Sequence, residues 1–123
     1  EEWNLAAAYV TRHLAPGEPV LFNATWAQIP FEYYARGGPK LELHGLPVDL
    51  FDRHVLEPEF EPRDLPVLTA AIAGKPSVWL IYSHEFFTDP NHLIPQELER
   101  VYATKELREF FGVRVIHYSD RRE

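Results

Sequence analysis

The chain has 123 residues, 46% of them hydrophobic and 14% aromatic, which is enough for one core of ordinary size and too little for two. Nineteen acidic residues against twelve basic ones leave a net charge of -7, a field that repels phosphate backbones and anionic headgroups and makes nucleic acid a poor partner. Cysteine is absent, so disulfides and thiolate-ligated zinc are excluded and the redox compartment stays open.

Trp3, Ala7, Val10 and Leu14 recur at the spacing of one helix face, and Pro16 and Gly17 stop that helix. Val20, Leu21 and Phe22 are too few and too β-prone for a helix and read as a strand ending at Asn23. Beyond it Trp26, Gln28, Phe31, Tyr33 and Tyr34 fall at helical spacings. Phe31 and Tyr34 are expected to face the sheet, with Trp26 and Gln28 exposed near the helix start. Gly37, Gly38 and Pro39 break the chain before Leu41 and Leu43, whose alternation with Glu42 suggests an edge strand.

Residues 45–63 show no period and carry Pro47, Pro58 and Pro62 with the acids Glu57, Glu59 and Glu61, a stretch long enough to be functional or mobile. Asp64 reads as the N-cap of a helix burying Leu65, Leu68 and Ile72 and ending at Gly74. The continuous apolar run from Val78 through Tyr82 predicts a central parallel strand covered on both faces. Pro95 suits a first helical turn, and Leu98, Val101, Tyr102, Leu107, Phe110 and Phe111 read as the apolar stripe of one or two helices reaching Gly112. Val113, Val115 and His117 alternate with Arg114, Ile116 and Tyr118 in a final strand.

Four helix–strand pairs in succession, joined by right-handed crossovers, predict a single α/β domain over residues 1–123. The expected form is a three-layer α/β/α sandwich, Rossmann-like, on a mostly parallel four-stranded sheet of order 2-1-3-4.

In such a sheet chemistry collects beyond the carboxyl ends of the strands. Asn23, His44, His84 and Glu85 are expected to converge there as ligand-binding residues, with Trp26 and Gln28 on the rim as a stacking face and an amide for a polar ligand such as a sugar. Ser83, Asp89 and His92 fall at the same edge. No metal is expected, because the spacing of His84, Glu85, Asp89 and His92 matches neither HExxH nor an EF-hand loop, and Asp89-Pro90-Asn91 is a turn whose acid caps local backbone. Ser83 and His84 are adjacent on an extended chain and point to opposite faces, so they make no dyad. With no GxSxG elbow and no glycine-rich phosphate loop, no catalytic residue and no cofactor are assigned. Phe86 and Phe87 are further aromatics open to exposure, covering the core end or leaning on a partner.

The runs PVLFNATWAQIPFEYY at residues 19–34, HGLPVDLFD at 44–52 and SVWLIYSHEFFTDP at 77–90, with the opening helix EEWNLAAAYVTRHLAPGEPVLF, resemble the soluble tail of bacterial family 39 glycosyltransferases. These are polytopic membrane proteins related to the dolichyl-phosphate-mannose protein mannosyltransferases. The resemblance implies a parent in the cell membrane that uses a polyprenyl-phosphate sugar donor, with this domain extracytoplasmic. It also implies that the catalytic acid lies in a loop between membrane helices, to which nothing here corresponds. With no methionine, even at position 1, the chain reads as a fragment cut from something longer or as a processed one; no apolar window is long enough to span a bilayer and no signal-peptide pattern is present, so the spans of a membrane parent would lie outside it.

The expected role is therefore non-catalytic: assisting acceptor binding or stabilising the membrane part. The expected partners are the transmembrane portion of the parent and a glycan or polypeptide acceptor. Two alternatives stay open: a small stand-alone enzyme using His44, His84 and Glu85, and a docking module engaging through the acidic loop.

Overall fold

The structure, a computed structural model, describes residues 1–47, 59–83 and 85–122, except for the side chain of Glu85. Its elements follow in the order α1 (Trp3–His13), β1 (Pro19–Asn23), α2 (Gln28–Ala35), β2 (Glu42–Gly45), α3 (Leu65–Ile72), β3 (Val78–Tyr82), α4 (Glu85–Thr88), α5 (Leu93–Val101), β4 (Tyr102–Phe110) and β5 (Val113–Arg121). Short 3-10 turns at Thr25–Ala27 and Pro62–Asp64 lead into α2 and α3.

β1 and β3 are buried along their whole length. Their alternation therefore sorts apolar side chains between two cores rather than between core and water. Val20, Phe22, Trp79 and Ile81 point to the side where α1 and α2 supply Trp3, Ala6, Ala7, Val10 and Phe31. Leu21, Val78, Leu80 and Tyr82 point to the other, where α3 and α5 supply Leu68, Ile72, Ile94 and Leu98. Helices thus cover both faces of one sheet. Tyr34, expected against the sheet, is 53% exposed.

The sheet corrects the expected one. It has five strands in the order β2-β1-β3-β5-β4, and it is mixed rather than mostly parallel and Rossmann-like. β1 pairs in parallel with β2 and β3, with Leu21 opposite both His44 and Leu80. β5 pairs antiparallel with β3, Leu80 opposite Ile116, and antiparallel with β4. The segment read as continuing helix leaves α5 at Val101 and runs on as β4.

The physical reason for the correction is a hairpin. β4 is the strand that the crossover through α5 delivers parallel to β3, but two positions away. The two-residue loop Phe111-Gly112 then turns the chain back, with Phe110 opposite Val113 and Gly112 at φ 78, and β5 fills the gap. β4 is an edge strand, exposed over most of its length, so its sequence lacks the clean alternation of a half-buried strand. Leu107, Phe110 and Phe111 consequently mimic a helical i, i+3, i+4 stripe.

The carboxyl ends of β1, β2, β3 and β4 meet at one end of the molecule. The start of α1 lies there too, held by Glu2 N–H donating to the Phe111 carbonyl at 3.0 Å and Phe111 N–H donating to Glu2 Oε1 at 2.7 Å.

Candidate functional site

At that carboxyl end, polar side chains bond one another and the backbone. Asn23, fully buried, donates from Nδ2 to the carbonyls of Leu46 at 3.2 Å and Thr88 at 3.4 Å, while its Oδ1 accepts from Thr88 Oγ1 at 2.7 Å. Asn23 and Ser83 extend the β1–β3 ladder by one step, with Ser83 N–H donating to the Asn23 carbonyl at 2.7 Å and Ala24 N–H to the Ser83 carbonyl at 2.8 Å. Ser83 Oγ donates to the Gly112 carbonyl at 2.9 Å, which ties the end of β3 to the hairpin loop. These bonds replace water for buried groups that would otherwise be costly to leave unpaired.

Asp89 is also fully buried. It accepts from the N–H groups of Leu93 at 2.8 Å and Ile94 at 3.0 Å, capping the first turn of α5, and from the Tyr82 hydroxyl at 2.8 Å. Burial, and then the hydrogen bond to this carboxylate, hold the Tyr82 phenol far above its ordinary pKa. The expected local capping role of Asp89 is what the structure shows.

The other anticipated ligand residues are placed as follows. His44 lies one residue before the end of β2, and its Nε2 sits 2.8 Å from Glu42 Oε2; the other Glu42 oxygen accepts from Lys75 Nζ at 3.1 Å. The His44 hydrogen bond, against a smaller opposing effect of burial, draws the Glu42 carboxyl below its usual range. Trp26 lies in the 3-10 turn before α2, half-buried and edge-on to Trp3 with ring centres 5.8 Å apart. Gln28 is buried. Neither stands free on a rim, in contrast to the exposure expected of them: Trp26 leans onto the α1–α2 side of the core, and Gln28 is only 4% exposed. His84 and the side chain of Glu85 lie outside the described residues, as does the acidic-loop stretch 48–58. Among the described residues no group of three histidines, aspartates or glutamates comes together as metal ligands.

Two polar constellations escaped the sequence reading. The first is at the opposite edge of the sheet, where Glu18 is nearly inaccessible in the loop before β1. One oxygen accepts from Ala15 N–H at 2.6 Å and Trp79 Nε1 at 2.8 Å; the other accepts from Ser77 Oγ at 2.5 Å and faces His117 Nε2 at 2.6 Å. The His117 ring stacks on Trp79 at 4.2 Å. Burial pushes this carboxyl up, but the hydrogen bonds from Ser77, Ala15, His117 and Trp79 together outweigh it and leave the pKa lowered. A carboxylate with four partners is a staple between loop, β3 and β5 rather than a base with a lone pair to offer.

The second is a groove of about 260 Å³ between α5 and the β4–β5 hairpin, lined among others by Gln96, Glu99, Lys105, Leu107 and Tyr118. Tyr118 is fully buried, and among the described residues its hydroxyl is the buried side-chain polar atom without a hydrogen-bond partner. Only the alternation of β5 could have suggested its inward side, and nothing in the sequence marks the missing partner.

The fold and its sites define a small α/β domain with helices on both faces of a mixed sheet. No family model, curated protein or solved structure matches the chain.

Proposed function

We propose that this chain is a non-catalytic, extracytoplasmic domain of a membrane glycosyltransferase that uses a polyprenyl-phosphate sugar, seated against the transmembrane portion of its own parent. The observation that carries the seating is aromatic. Phe86, Phe87 and Phe111 are 87%, 70% and 76% exposed; the first two lie in α4, which follows β3, and the third in the β4–β5 hairpin loop, at the end of the molecule where Glu2 docks on Phe111. The Ser83–Gly112 bond ties the end of β3, just before α4, to that hairpin loop. Large exposed aromatics gathered at one end mark a contact surface. A net charge of -7 disfavours anionic lipid as what they touch, and favours the apolar face of a protein.

The non-catalytic part of the reading is supported by the carboxyl edge. Asn23, Ser83, Thr88 and Asp89 spend their polar atoms on the loops and helix start that form that edge. His44 is engaged by Glu42. No helix among the described residues is long and apolar enough to cross a membrane and shelter a polyprenyl donor.

The test is the codons upstream of Glu1, which are expected to encode many apolar spans; a short soluble leader or an unrelated domain there overturns the reading. In the parent protein, joint replacement of Phe86, Phe87 and Phe111 by serine is expected to lower glycosyl transfer. The stability of the separate domain should change by no more than about 0.5 kcal/mol per site, as for exposed positions. Unchanged transfer would remove the seating role.

A further inference from the structure

We infer that the outer edge of β4 pairs antiparallel with β4 of a second copy of this chain, centred on Leu107, and joins the two sheets into one. β4 ends the sheet, so among the described residues no strand lies beyond it. Its ladder with β5 is unbroken from Thr104 to Phe110. The two-residue loop makes Phe110 and Val113 the closing hydrogen-bonded pair, and from there alternate residues of β4 turn their backbone groups outward. Lys105, Leu107 and Glu109 therefore present N–H and C=O groups along the edge. Phe111, next in that alternation, has both groups taken by Glu2, which stops the open edge at the hairpin.

The charges on the edge choose its partner. Residues 104–110, Thr-Lys-Glu-Leu-Arg-Glu-Phe, balance two bases against two acids in a chain of net charge -7. Lys105 to Glu109 are all exposed, Leu107 by 52%. Charges on an edge strand ordinarily guard it against pairing. Two copies related by a twofold axis bring outward groups to outward groups only with a residue on that axis. With Lys105, Glu106, Arg108 or Glu109 there, like charges meet on it; with Thr104 or Phe110 there, about half of the edge is left over. Leu107 on the axis sets Leu107 against its own copy, Lys105 against Glu109 and Glu106 against Arg108, and the last two contacts occur twice. Every charge on the edge then faces its opposite, and the exposed leucine is covered. Lys105 lies on the α5 face, 3.5 Å from Glu99, and Arg108 on the α1 face, over the Tyr9 ring, so the ion pairs form on both faces of the joined sheet. About six backbone hydrogen bonds through Lys105, Leu107 and Glu109 supply the affinity, and the side chains fix the register.

Paired copies point their aromatic ends in opposite directions and leave both open. The pairing is thus a property of the chain itself, independent of the glycosyltransferase reading, and two copies seated side by side on one membrane face could not form it.

The test is sedimentation equilibrium of the chain over a wide range of concentration, and a reversible monomer–dimer equilibrium is expected. Glu109→Lys sets a lysine against Lys105, and Lys105→Glu sets a glutamate against Glu109, twice in each dimer. Each should raise the dissociation constant about tenfold or more. Neither should lower the urea midpoint measured where the parent chain is monomeric, because both positions are exposed. Mixing the two variants in equal amounts should restore the dimer, since opposite charges then meet at both positions. A dimer that neither variant weakens, growth beyond the dimer, or a mixture no stronger than the single variants overturns the proposal. So does a chain that stays monomeric at every soluble concentration, which leaves the edge to an extended segment of another protein.

Discussion

Glu18 and His117 stand 99 residues apart in the chain and 2.6 Å apart in the fold, with the carboxylate of one against the ring of the other. The contact joins the loop before β1 to β5, the strand that runs against its neighbour β3, and so helps to pin the antiparallel half of the sheet to the parallel half. Trp79 of β3 lies between them, stacked on His117 and donating to Glu18.

Replacing Glu18 by glutamine should therefore be costly. The amide can keep its oxygen on Ala15 N–H and the Trp79 indole and turn its NH2 toward Ser77 Oγ and His117 Nε2, but it gives up the charge that strengthens all four bonds. A loss of about 1 to 3 kcal/mol is expected, the scale for hydrogen bonds to a charged group. Urea unfolding at pH 7 measures it; a midpoint equal to that of the parent chain would show that the staple contributes nothing.

The same carboxylate sets a pH dependence. Its pKa in the folded protein lies below the ordinary 4.5, so the folded state favours its charged form. The stabilisation is fully present above about pH 4.5 and is lost as pH falls through the lower, folded value. Urea midpoints taken from pH 6 down to pH 3 should drop more steeply for the parent chain than for Glu18→Gln. Parallel curves would remove Glu18 from the acid response.

The central strand makes a packing prediction. Leu80 is fully buried between Leu21 and Ile116, its partners on β1 and β5. Leu80→Ala should cost on the order of 2 to 5 kcal/mol. Glu59 is exposed, and Glu59→Ala should cost no more than about 0.5 kcal/mol. Equal urea midpoints for the two variants would contradict the position of β3.

The hairpin that reorganises the sheet turns on Gly112. Its φ of 78 disfavours any residue with a Cβ, and a Cβ built there would also come within 2.5 Å of the Glu1 side chain. Glu1 can swing away, but the backbone strain stays. Gly112→Ala should cost about 1 to 2 kcal/mol, with little relief when Glu1 is also changed to alanine. Full recovery in the double variant would make the clash, rather than the backbone, the cause.

Much of the fold is legible in the sequence because local chemistry decides it. Val20-Leu21-Phe22 and the run from Val78 to Tyr82 are β-prone and apolar on both sides, so they form strands wherever two helical layers cover them. Trp3, Ala7 and Val10 bury one face of α1 by helical period alone, and Asp89, beside the turn-forming Pro90, caps the helix that follows. Of the anticipated site, Asn23 sits where the strand pattern put it, at the end of β1. Its engagement by Leu46 and Thr88 could not be read, because those partners are 23 and 65 residues away.

What only the tertiary structure decided is whatever depends on pairing across the chain. Residues 102–110 carry spacings compatible with helix and strand alike, and the choice fell to strand because Gly112 allows a tight turn and β5 offers ladder partners to every one of them but Ala103. That one choice turned a parallel sheet into a mixed one and shaped the groove beside Tyr118. Three of the four bonds on Glu18 likewise have no local signature: a glutamate between Gly17 and Pro19 reads as an exposed loop acid until Ser77, Trp79 and His117 are folded around it. Sequence period governs which way a side chain points along its own element, but the free energy of a hydrogen bond belongs to two groups at once, and the second is supplied only by the fold.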